Sequence, residues 1–210
     1  MVIKHSQDWG RESIAPSDLV FALTDSGLAA CIGEGHQNVV VTGGDMWRTI
    51  GAEGRVVVPD ETAICLPIDV MKVEIQLEDE SILSKIAVSH VVLRRANIRG
   101  GWLRGPVIVV ANAQFLGEWD VAPRGHPNDG RVEITQVDRA MGVRQRMTAR
   151  SRLRTGTHLP HPSIQTQSVK NFVWESADQA STILWTDHQC IGQVKRLSIE
   201  VCNDQAFLWM

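Results

Sequence analysis

The chain has 210 residues, 43% of them hydrophobic, and a net charge of −3. That is enough apolar material for one domain or two small ones, and it argues against disorder. The charge balance carries no signature of nucleic-acid binding.

Four scattered cysteines, Cys31, Cys65, Cys190 and Cys202, form no C-x-x-C pair. Zinc-ribbon and thioredoxin-like chemistry therefore have no support, and all four read as small buried hydrophobes of a reducing compartment. Residues 1–12 lack the apolar core of a signal peptide, and no apolar run approaches a membrane span. The expectation is a soluble cytoplasmic protein.

Residues 1–16 read as a polar arm, with Asp8-Trp9-Gly10 available to pin it to the body. A short strand is predicted over 19–23, then a helix over 27–32 capped by Ser26 and ended by Gly33-Glu34-Gly35. Val39-Val40-Val41 is a second buried strand, which makes a minimal βαβ unit with a parallel pair. It runs into Thr42-Gly43-Gly44-Asp45 and a helical turn over 46–50. A Gly pair between a strand and a helix start serves as a bare turn, or offers backbone N–H groups to a phosphate.

Beyond Gly51 the chain changes character. Strands are predicted over 56–58, 63–77, 86–93, 106–111, 132–137, 169–174, 182–186, 194–202 and 206–209. Many strands at short spacing point to a sandwich or barrel. Ile64, Leu66, Ile68 and Val70 share one face; the phase slips at Met71-Lys72, and Val73, Ile75 and Leu77 take over. Such a slip predicts a bulge or bend. One helix is predicted in this half, over 139–153. The domain expectation is an α/β unit over 1–54 and a β-sandwich over 55–210.

Three stretches could carry chemistry. The first is the irregular loop 112–130, which follows the doubly buried run Val107 to Val110 and holds Asn112, Glu118, Asp120, Asn128 and Asp129 among Gly and Pro residues. Asp129, between Asn128 and Gly130, either closes its own turn or holds a hard cation. The second is Trp185 to Gly192, a polar connection between two strands that contains Asp187. The third is basic: between Arg131 and Arg154 seven Arg face only Glu133 and Asp138. Arg144, Arg146, Arg150, Arg152 and Arg154 are either a solvated helix face or a contact for an anionic membrane surface or a phosphate. His126, His158 and His161 sit in loops without metal-ligand spacing.

The spacing Ala122-Pro123, four residues, Asn128-Asp129-Gly130 resembles the AP-x4-DDG signature of the diacylglycerol kinase catalytic family, which shares a superfamily with sphingosine and NAD kinases. Gly43-Gly44-Asp45 is similar to the start of that family's GGDGT motif, Asp187 to the Asp of its DGE motif, and Gly156-Thr157-His158 to its G-x-H segment. The resemblance covers about 38–51 and 56–210. It implies a truncated diacylglycerol kinase/NAD kinase-like fold, α+β and mostly β, with a small α/β unit docked on an antiparallel β-sandwich.

The resemblance also implies roles. Thr42, Gly43 and Gly44 would cradle ATP phosphates, Asp45 would organise Mg2+ and the γ-phosphate, and Asp187 would take the proton of a lipid hydroxyl. Asp129 with Asn128 would hold a structural Mg2+. The sequence departs from the pattern at Met46 and Trp47, which replace Gly and Thr, and at His188 and Gln189, which replace Gly and Glu. Met and Trp offer neither the missing Cβ nor the hydroxyl of the residues they replace. Residues 51–55 leave no room for the family's GT-x-NDF motif. Two functions are therefore expected: an ATP-dependent kinase acting on a lipid or small alcohol, or an inactive relative that binds a lipid, a small phosphorylated ligand or a protein. A homodimer is expected through the apolar strand over 206–210.

Overall fold

The computed structural model describes residues 9–96, 101–176 and 181–210. Residues 1–8 of the expected arm lie outside them, but 9–16 do not form a loose arm: they include a strand, Arg11–Ile14, and Trp9 does pin the chain. Its indole Nε1 donates to the Pro67 carbonyl at 2.9 Å, and its ring meets His126 edge-on at 4.5 Å.

The N-terminal unit is β2 (Val20–Ala22), α1 (Asp25–Gly33), β3 (Asn38–Val41) and α2 (Asp45–Thr49). β2 and β3 are parallel, as the βαβ order requires. α1 starts before the predicted position because Thr24, not Ser26, is its cap: the Thr24 hydroxyl accepts the Gly27 N–H at 3.1 Å.

The body is built on two long antiparallel strands, β4 (Thr62–Leu77) and β14 (Gln189–Trp209). β1 (Arg11–Ile14) and β5 (Ile82–Ala87) pair with β4, and β12 (Asn171–Glu175) pairs with β14. From β14 the sheet continues through β13 (Thr182–Thr186), β6 (His90–Arg95), β7 (Val107–Ala111), β10 (Val132–Val137) and β11 (Ile164–Val169). β8 (Phe115–Leu116) and β9 (Trp119–Asp120) make a small hairpin, and α3 (Val143–Leu153) links β10 to β11. The architecture is α+β and mostly β.

The phase slip in β4 has a packing cause. Leu66, Ile68 and Val70 pack with Leu28, Val39, Met46 and Leu208 against the N-terminal unit. Met71, Val73 and Ile75 point the other way and fill the sandwich with Leu93, Leu184 and Leu197. One strand thus serves two cores in turn, which its period of two permits because successive side chains face opposite sides. β3 also joins the sheet, pairing in parallel with β14 at Phe207 and Leu208. The end of β14 lies between β4 and β3.

Several predicted strands differ. Residues 56–58 form no strand. The run over 86–93 is divided between β5 and β6 by a turn at Val88-Ser89. The runs over 194–202 and 206–209 are one strand with a bulge opposite Asp69, where the Asp204 N–H donates to the Asp69 carboxylate at 3.0 Å. The predicted strand over 169–174 is the meeting of β11 and β12. Of the cysteines only Cys65 is buried; Cys31 and Cys202 are half-buried, Cys190 is exposed on the hairpin, and all four are free. Among the described residues no helix is long and apolar enough to cross a membrane.

Candidate functional site

The end of β3 and the start of α2 bring Gly43, Gly44 and Asp45 to a cleft against the β13–β14 hairpin. A Cβ on Gly43 would lie 2.6 Å from the Leu23 carbonyl oxygen. A Cβ on Gly44, whose φ is +99°, would lie 2.7 Å from the Asp25 carboxylate. Both positions therefore require glycine. Thr42 does not face the bend, since its hydroxyl donates back to the Ala22 carbonyl at 3.3 Å.

Asp25 explains why the bend is so tight. The carboxylate, buried at the start of α1, accepts the Asp45 N–H at 2.7 Å and the Met46 N–H at 2.9 Å. These are the unpaired donors that a helix start presents to an anion. The anion in that position is the chain's own side chain. Met46 is fully buried and Trp47 packs on the same core, so neither fills the cleft.

Asp45 has partners on both oxygens. Oδ1 accepts the Gly117 N–H at 2.7 Å, and Oδ2 pairs with His188 Nε2 at 2.7 Å. Nδ1 of His90 lies 3.4 Å from the same Oδ2. Burial works to raise the Asp45 pKa, but the His188 hydrogen bond, His90 and the Gly117 N–H prevail and hold it below the usual range. The same hydrogen bond lifts His188. His90 is only 1% exposed, and neither ring nitrogen makes a hydrogen bond among the described residues. Burial drives its pKa down to about 4 against the pull of Asp45 and Asp25, so it is neutral at pH 7.

Asp187 reaches the same hairpin but turns away from Asp45. Its Oδ2 accepts the Val88 N–H at 2.9 Å, and its Oδ1 accepts those of Ser89 and His90 at 2.8 and 3.0 Å. It thereby holds the turn that separates β5 from β6. Burial pushes its pKa up to about 6, against those three donors. The side chain that faces Asp45 from the hairpin is His188. A cavity of about 170 Å³ opens beside it, bounded by His90, Trp102, Trp185 and Arg94, whose guanidinium lies 4.7 Å from the Trp185 ring.

In the 112–130 loop, Asp129 closes its turn on the Arg131 N–H at 2.9 Å, the first of the two readings open from the sequence. Asn128 is buried and donates its amide to Asp204 at 2.9 Å and to Asp69 at 3.3 Å. The sequence reading missed Asp69, Asp25 and His90. Asp69 accepts from Gly130 at 2.7 Å and is pushed up to about 6, mainly by burial. Among the described residues the cluster of potential metal-donor side chains is Asp25, Asp45 and His188.

The arginines of α3 divide. Arg146 is buried and donates to the carbonyls of Met141, Asp138, Trp102 and Gly105 at 3.0, 2.7, 3.2 and 2.5 Å. Arg150 lies over Trp119 and Arg154 pairs with Glu118, while Arg144 and Arg152 are exposed. Beneath the helix lies an apolar cavity of about 80 Å³ between Trp102, Trp119, Val109, Ala149 and Leu153. His158, buried with both ring nitrogens unbonded among the described residues, lines it. It adjoins an outer groove of about 710 Å³ that shares Val121, Thr135 and Ile164 and carries Arg124 and His161.

No protein family profile matches the sequence, and no curated protein matches it. Solved structures do match. One is "a putative diacylglycerol kinase from Bacillus anthracis str. Sterne": TM-score 0.55, 13% identity, 91% of this chain and 77% of that one. Another is yeast NADH kinase complexed with NADH: TM-score 0.54, 9% identity, 91% of this chain and 62% of that one. The likeness is one of fold. It extends over nearly the whole chain, and at such identities it assigns no chemistry to any residue.

Proposed function

We propose that this chain does not transfer phosphate from ATP, and that it binds an amphipathic, lipid-like ligand in the groove beneath α3. The observation that carries the first half is the Asp25 carboxylate on the N–H groups of Asp45 and Met46. A nucleotide phosphate at that helix start would meet a buried negative charge in place of free donors, and repulsion and donor loss act together. The family's Mg2+ also fits poorly, because two imidazoles flank the Asp45 oxygen. Mg2+ favours all-oxygen surroundings with retained water.

The ligand half is supported by the groove. Its inner end is apolar and walled by Trp102 and Trp119, while its outer part carries Arg124 and His161. Binding sites for small molecules combine apolar walls with a few placed polar groups, and His158 supplies one unpaired polar edge inside. An acyl chain would enter the cavity with its head group toward Arg124.

Quenching by brominated acyl chains tests this directly. Added lysophospholipid brominated on its chain should quench Trp102 and Trp119, and Ala149→Phe should remove most of the quenching while the protein stays folded. Quenching that is equal in the variant would overturn the groove.

A second reading, phosphoryl transfer to a lipid hydroxyl, is favoured by one observation: the hairpin after Asp187 reaches Asp45 through His188. Asp45 with His188 would then be the acid–base pair, and ATP with Mg2+ would have to displace Asp25. Release of ADP that depends on a lipid acceptor would establish this reading against the first.

A further inference from the structure

We infer that Asp25, Asp45 and His188, with His90 beside them, form a binding site for one divalent transition-metal ion of the zinc class, distinct in chemistry from a magnesium site. One donor atom from each of Asp25, Asp45 and His188 lies within 4.8 Å of the others. His90 is the independent observation. It is 1% exposed, makes no hydrogen bond among the described residues, and brings Nδ1 to 3.4 Å from Asp45 Oδ2. A buried imidazole edge that faces a carboxylate without a well-formed hydrogen bond is costly, and an ion at the cluster would lower that cost.

The spacings around Asp45 Oδ2 come near those of an ion's ligands. Zinc bonds nitrogen and oxygen at about 2.0–2.2 Å, so neighbouring tetrahedral donors lie about 3.3 Å apart. His90 Nδ1 and Asp45 Oδ2 already stand 3.4 Å apart. His188 Nε2, at 2.7 Å, must draw back by about half an ångström to the tetrahedral spacing. Its side chain is 55% exposed at the tip of a hairpin, so it has room to do so. Both carboxylates are anchored by backbone N–H groups, Asp45 by Gly117 and Asp25 by Asp45 and Met46. Anchoring of that kind orients metal ligands. Imidazole nitrogen together with carboxylate oxygen selects zinc, cobalt or nickel over magnesium.

The test is titration of the chelator-stripped full chain with ZnCl2, CoCl2 and MgCl2, read by calorimetry, melting temperature and cobalt absorption. One zinc per chain should bind and raise the melting temperature, cobalt should give visible bands of a low-coordinate N/O site, and millimolar magnesium should do neither. His188→Ala, at an exposed position, should weaken zinc on the order of 100-fold or more while the circular-dichroism spectrum is unchanged. Asp45→Asn should weaken it likewise. Cys190→Ser should leave affinity unchanged. No stoichiometric zinc, affinity unaltered in His188→Ala, magnesium binding equal to zinc, or loss of binding in Cys190→Ser would each overturn the proposal. None of these outcomes depends on a ligand in the α3 groove.

Discussion

At the Asp45 cleft, carboxylates are matched to donors from within the chain; beneath α3, apolar walls and an unbonded histidine face open space. Asp25 and Asp187 take up five backbone N–H groups between them. Among the described residues both ring nitrogens of His158 in the groove have no such closure. The contrast teaches that a diglycine bend at a helix start does not by itself leave backbone donors free. Whether donors stay free is decided by single side chains on neighbouring elements.

The largest effect expected from breaking this contrast is at Asp187. Asp187→Ala leaves three buried N–H groups without an acceptor and should cost about 3 kcal/mol or more in urea unfolding. A loss below about 1 kcal/mol would mean that the Val88–His90 turn holds itself.

The groove wall supplies the next test. β10 enters it just after Gly130, whose N–H is held by Asp69. The folded pKa of Asp69, about 6, stands above the ordinary 3.8, so the folded state binds the extra proton. Its contribution to stability is present below about pH 4 and is lost as pH rises through 6, by about 2–3 kcal/mol. Unfolding curves from pH 4 to 7 should show that fall added to those of Asp187 and Asp129, which are also raised to about 6, and Asp69→Asn should make the slope shallower by the Asp69 share.

Asp25→Ala should cost about 1–3 kcal/mol by unpairing the two α2 N–H groups. The same change should open the helix start to an anion, so melting temperature should become sensitive to inorganic phosphate where the unaltered chain is not. The smallest effect is Ala149→Leu, which fills part of the cavity. It should alter stability by about 1 kcal/mol or less while reducing acyl-chain quenching.

Much of the fold was legible because its signals are local. The period of two in β4, with its slip after Val70, is visible in the residues and corresponds to the change from one core to the other. The meeting of the diglycine bend with the late hairpin was also legible through the motif resemblance. What escaped depends on direction and distance. Asp25 reads as an ordinary residue at a helix start; nothing near it in sequence says that its carboxylate caps a second helix twenty residues on. His90 hides in an apolar run, and Asn203-Asp204-Gln205 reads as a turn until Asp69 is seen to hold it as a bulge. The residue type at position 187 was readable, but the side its carboxylate faces was not.

The most direct measurement is a titration of the unaltered chain with MgATP, read by calorimetry and by melting temperature. The account predicts no heat of binding and no shift at millimolar nucleotide, with the Asp25→Ala chain the more responsive of the two. A rise equivalent to about 2.7 kcal/mol, as saturation at a hundred times the dissociation constant would give, would contradict it.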